Sequence, residues 1–190
     1  MKLGKTFYAK NRKEWRSWLA KNHTKEKEIW LIYCRKGSGR PRIPYNDAVE
    51  EALRLGWIDS TTKKIDRQQF AQRFTPRRKT SGLSQMNKER VRKLMAKKMM
   101  TQAGLKAIAH VFDPKKDDAA DFSINPDILK QLKANKDAWK NFKMFPESYK
   151  RIRIAFIESR RRHGQEMFEK SLAYFIKMTA KNKRFGFVKE

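Results

Sequence analysis

Apolar positions recur at helical spacing near the start of the chain. Trp15, Trp18 and Leu19 stand at i, i+3 and i+4, which predicts a helix over 11–21 with one aromatic face inward, after loose residues up to about Lys5. The run Ile29-Trp30-Leu31-Ile32-Tyr33-Cys34 is instead apolar at every position, and its β-branched and aromatic content predicts a central strand buried on both faces. Turn chemistry follows in Lys36-Gly37-Ser38-Gly39-Arg40-Pro41. Asn46 is expected to cap a helix with Val49, Ala52 and Leu53 inward and Gly56 at its end. From Trp57 to Ile65 and from Gln69 to Thr75 the pattern alternates, with Phe70 and Phe74 on one face and Ala71 and Arg73 on the other, and predicts a hairpin. Pro76 breaks the ladder. Asn87 is expected to cap a helix carrying Val91, Leu94 and Met95 inward, and Thr101 to cap another with Ala107, Ile108 and Val111.

The stretch DPKKDDAAD, Asp113 to Asp121, has no large apolar residue and predicts a linker. Helical patterns dominate beyond it. Asn125-Pro126 opens one ahead of Ile128, Leu129 and Leu132, and Pro146 opens another ahead of Tyr149, Ile152 and Phe156. Gly164 then separates that helix from one over 165–179 with Phe168, Leu172, Phe175 and Ile176 on a shared face. The expected fold is α+β: a small antiparallel sheet flanked by helices in residues 1–112, a linker over 113–121, and a C-terminal helical bundle module over 122–190. A length of 190 residues, 39% of them hydrophobic and 12% aromatic, supplies a core and excludes both a disordered chain and two large domains. No stretch reaches the ~20 apolar residues of a membrane span, and MKLGKTFYAKNRKEW has no apolar signal-peptide core, so a cytoplasmic location is expected. Cys34 is alone, and His23, His110 and His163 are too scattered for a zinc cage; no metal or other cofactor is expected.

Charge changes the picture most. Lys and Arg number 47 against 20 Asp and Glu, a formal net charge of +27, which points to a polyanionic partner such as nucleic acid or an anionic lipid surface. Between Thr61 and Lys98 thirteen bases face only Asp66 and Glu89, without the i, i+4 acids of an ordinary solvated helix face. The candidate anion ligands are Arg73, Arg77, Arg78 and Lys79 around the Pro76 bend, with Lys88 and Arg92 on the helix that follows; arginine offers a planar fork matched to phosphate oxygens. Trp57 and Phe74 are candidates for stacking on bases, although aromatics at strand spacing more often belong to a core. Asp59 and Asp66 are the acids near these arginines, and Asp59 is either an ion-pair partner of an arginine or an acid–base group. Arg160-Arg161-Arg162-His163 ends a helix, where cations complement the macrodipole.

Several strings carry a resemblance. They are Glu14-Trp15-Arg16 with Trp18-Leu19 and Asn22-His23; Ala48-Val49 through Ala52-Leu53 into Gly56-Trp57-Ile58-Asp59-Ser60; Arg73-Phe74-Thr75-Pro76-Arg77; Ser84 and Asn87; and Met100-Thr101 with Gly104-Leu105. With Ile128, Trp139, Phe142, Tyr149, Arg151 and Ile157 in the C-terminal helices, the chain resembles the YdeI/OmpD-associated, bacteriocin-protection family. That resemblance implies a bacterial cytoplasmic protein linked to stress or antimicrobial resistance, without an established catalytic mechanism. The expected function is non-enzymatic binding of a polyanion, nucleic acid first. The competing expectations are an enzyme on a small anionic or phosphorylated substrate, with Asp59 as acid or base and Arg73 and Arg77 as clamps, and an adaptor for an acidic protein or the inner membrane surface.

Overall fold

The computed structural model describes residues 3–35, 37–113 and 122–186. Among them the chain divides into two compact units: residues up to 83 with 90–113, and 84–89 with those from 122 on. The expected N-terminal block of 1–112 is thus interrupted, with 84–89 grouped with the C-terminal helices. Most of the expected linker, residues 114–121, lies outside the described residues.

The N-terminal unit begins with β1 (Thr6–Tyr8), α1 (Arg12–Asn22), β2 (Ile29–Cys34) and α2 (Tyr45–Arg54), and continues with β3 (Trp57–Lys64) and β4 (Gln69–Pro76). Asn11 caps α1, accepting the Glu14 amide at 3.0 Å, while the Glu14 carboxylate takes the Lys10 amide at 2.9 Å. The sheet order is β1-β2-β4-β3. The expected hairpin is present, with Trp57 opposite Pro76 and Lys64 opposite Phe70 and an irregularity between Asp59 and Thr62. β2 is central and antiparallel to β4. One correction is that the sheet is mixed: β1 runs parallel to β2, with α1 as the crossover that a parallel pair requires.

Trp15 and Leu19 of α1, Val49, Ala52 and Leu53 of α2, and Ile29, Leu31, Trp57 and Phe74 of the sheet form one buried core. Two more helices follow, α3 (Gln85–Ala96) and α4 (Gln102–Ile108). Thr101 caps α4 as expected, accepting the Gly104 amide at 3.2 Å. Two caps differ from expectation. α2 starts at Tyr45, ahead of Asn46, whose side-chain oxygen accepts from Arg90 at 2.7 Å instead. α3 starts at Gln85, ahead of Asn87, and the Ser84 carbonyl takes the Lys88 amide at 2.9 Å.

The C-terminal unit contains α5 (Pro126–Ala134), α6 (Lys136–Met144), α7 (Glu147–Arg160) and α8 (Gln165–Ala180), with a 3-10 turn at Arg161–His163. Asn135 ends α5 and caps α6 by accepting the Ala138 amide at 2.9 Å. Ile128, Leu132, Phe142, Tyr149, Phe168 and Phe175 lie in its core. None of the described helices is long and apolar enough to cross a membrane.

Candidate anion-binding site

β4 and the loop after it carry four of the expected anion ligands, and the fold gives them different environments. Arg73 is held by a carboxylate: its Nε donates to Glu28 Oε2 at 2.8 Å and its Nη2 to the same oxygen. Arg77 is buried, and its Nη2 donates to the main-chain carbonyls of Ser81 (3.2 Å) and Gly82. Its own amide donates to Gly56 O at 2.9 Å. Nε and Nη1 of Arg77 are buried without a partner, and burial lowers its pKa from the ordinary guanidinium value. Arg77 therefore staples its own loop closed. Within that loop the Ser81 amide donates to Arg78 O at 3.0 Å, and the His110 ring lies 3.2 Å from Ser81 O. Arg78 and Lys79 are exposed.

Lys88 and Arg92 are half-buried on α3, and the Arg92 guanidinium stands 5.7 Å from the centre of the Phe112 ring. Trp57 and Phe74 are core residues, so of the two readings for them the core holds and neither ring is open to stack on a base. Trp57 is buried and its indole N–H donates to His23 O at 3.1 Å; Phe74 is buried against Trp15, ring centres 5.2 Å apart. Both lie on the sheet face that takes the tryptophans of α1.

Asp59 is half-buried on β3, where its Oδ2 accepts from Tyr45 Oη at 2.8 Å and Gln72 Nε2 at 3.2 Å. Burial, and then the Asp59 charge, raise the Tyr45 phenol above its ordinary pKa. The carboxylate's hydrogen-bond donors are thus neutral, and the arginine whose charge it meets is Arg90 rather than Arg73 or Arg77. Arg73 and Arg77 are committed to Glu28 and to loop carbonyls, so the three groups of the enzyme reading do not converge. Cavities of about 650 and 610 Å³ open beside α1 and between α5 and α8, and neither is lined by Asp59, Arg73 or Arg77.

Hydropathy patterning also missed a charge cluster between α1 and α2. Glu51, 1% exposed, accepts from Arg12 Nε (2.6 Å), from Arg16 Nη2 and Nε (2.8 and 3.0 Å) and from Arg54. Arg12 also reaches Asp47 at 3.2 Å and Glu50 at 2.9 Å. The i, i+4 spacing of Arg12 and Arg16 was visible, but the adjacency of the two helices was not. These three arginines serve the fold and are not candidates for binding an external anion.

Comparison with known families gives two matches. Residues 7–107, just over half of the chain, match a domain of unknown function, DUF8412. Residues 121–182 match the family described as bacteriocin-protection, YdeI or OmpD-associated. The strings GWIDS and RFTPRR fall in the first of these stretches and the helices α5 to α8 in the second. No curated protein and no solved structure matches the chain.

Proposed function

Because the chain belongs to the DUF8412 family and carries a YdeI/OmpD-associated module at residues 121–182, and neither description names a reaction, we propose its function from its own surface. It is a non-enzymatic binder of polyanions, nucleic acid first, working in the bacterial cytoplasm in a stress- or bacteriocin-protection role. The loop between β4 and α3 is the contact. One observation carries this reading: residues 76–88 contain no Asp or Glu, and Arg77 is folded inward onto the loop carbonyls, leaving Arg78 and Lys79 exposed beside each other. Arg77 has a positioning role, Arg73 is neutralised by Glu28, and the phosphate contacts fall to Arg78 and Lys79.

The test is equilibrium binding of the full chain to duplex DNA across a salt series. Every phosphate that is no longer neutralised lowers the log–log salt slope by about 0.9, so the Arg78→Ala/Lys79→Ala double variant is expected to flatten it by roughly 1.8. Binding that is absent or indifferent to salt overturns the reading. An unchanged slope in the double variant overturns the choice of surface.

A further inference from the structure

Helix α7 carries an arrangement outside every site considered so far. Arg153, Phe156 and Arg160 stand at i, i+3 and i+7, on one side of the helix. The two guanidinium carbons lie 5.0 and 5.2 Å from the centre of the Phe156 ring. The Arg153 carbon is also 4.0 Å from the centre of Phe185, whose ring meets Tyr174 edge-on at 5.0 Å. Arg153 is only 9% exposed, yet among the described residues its Nε and that of Arg160 are buried without a hydrogen-bond partner.

The neighbouring arginines are held differently. Arg151 forks onto Glu89 at 2.7 and 2.9 Å, and Arg161 is held by Glu158 (2.6 Å) and Asp127 (2.7 Å). On Arg153 the aromatic rings engage the guanidinium as a cation–π partner, and such contacts leave the outer Nη donors for an oxygen acceptor, Nε being buried. Burial lowers the Arg153 pKa, and among the described residues no carboxylate pairs with its guanidinium. Beside these cations two aromatic rings remain open, Phe156 at 43% and Tyr174 at 51% exposure. A ligand that matches both features has a planar π-face and an anionic oxygen within one repeat of its chain.

We propose that Arg153, Phe156, Arg160 and Tyr174 form a binding site for single-stranded nucleic acid, with an unpaired base stacked on an exposed ring and its phosphate taken by the guanidinium donors. The proposal rests on the polyanion reading and goes beyond it by fixing the strand state, since a duplex keeps its bases stacked away from any side chain. The charge is complementary: the chain carries a net +27.

The experiment measures binding of the full chain to a labelled oligothymidylate of about 16 nucleotides, and to a mixed-sequence duplex of equal length. Phe156→Leu keeps apolar bulk at an exposed position and removes the π-face. It is expected to weaken single-strand binding by about 5- to 150-fold and to leave duplex binding unchanged, with Tyr174→Leu as the second stacking variant. Arg160→Gln is expected to flatten the single-strand salt slope by about 0.7. Circular dichroism checks that each variant is folded. Equal loss on both ligands, or no loss on either, overturns the stacking site. If duplex binding then still depends on salt and on Arg78 and Lys79, the polyanion reading survives that failure; if neither nucleic acid binds, both fall.

Discussion

Glu51 shows how a single side chain decides which cations are available. Burial raises its carboxyl, but the hydrogen bonds from Arg16, Arg12 and Arg54 outweigh that and hold its pKa below the ordinary carboxylate value. A carboxyl whose pKa is lower in the folded state contributes stability that is fully present above its unfolded value, near 4.3, and is lost as pH falls through the folded value. Urea unfolding below about pH 4.5 is therefore expected to show a steep acid limb that Glu51→Gln shallows. At neutral pH the same substitution leaves the three arginines without their shared counter-charge, and is expected to cost about 3–5 kcal/mol. A loss below ~1 kcal/mol at neutral pH would show that Asp47 and Glu50 suffice to hold Arg12 and its neighbours.

Between elements, α4 packs tightly against the end of α2 in the N-terminal unit. A Cβ on Gly104 would run into the Arg54 carbonyl and stand 2.9 Å from Leu53 O; a Cβ on Gly56, where φ is +77°, would stand 2.6 Å from the Ala107 methyl. The Thr101 hydroxyl also donates to Arg54 O, so the join is hydrogen-bonded as well as tight. Gly104→Ala is expected to lower stability by about 1–3 kcal/mol, read as a shift in the urea midpoint at unchanged m-value; an unchanged midpoint would mean that α4 moves away at no cost. Gly56 was legible as a helix end, whereas this packing role for Gly104 was not, because nothing local announces which carbonyl a glycine will meet. The same division runs through the other elements. β2, the hairpin, α5, α7 and α8 have enough periodic positions to be read, but β1 is three residues long, too short for alternation to register. Asn46 and Asn87 looked like caps because asparagine favours caps, and the Arg90 hydrogen bond that occupies Asn46 comes from 44 residues away. In the candidate site the surplus of cations was legible, but Glu28 lies 45 residues before Arg73, and Phe156, at core spacing with Tyr149 and Ile152 in the sequence, is 43% exposed on α7.

For the whole molecule, several acids among the described residues are engaged within the fold. Glu51, Glu28, Glu89 and Asp127 each neutralise named arginines, and Asp66 accepts the amides of Gln68 and Gln69 in the β3–β4 turn. A net +27 therefore repels itself across the remaining surface. Raising ionic strength from about 0.01 to 0.15 M shortens the screening length from about 30 to 8 Å, which relieves that surface repulsion while touching the buried Glu51 cluster much less. The melting temperature is accordingly expected to rise over the range in which nucleic-acid affinity falls, two opposite salt dependences with one electrostatic origin. Calorimetry in chloride separates this from specific anion binding if it is repeated in sulfate at equal ionic strength. Equal rises identify screening, and a larger rise in sulfate identifies an occupied anion site. A melting temperature that falls with chloride would mean that the exposed ion pairs outweigh the excess charge, so that the surface carries no unrelieved repulsion for a polyanion to neutralise.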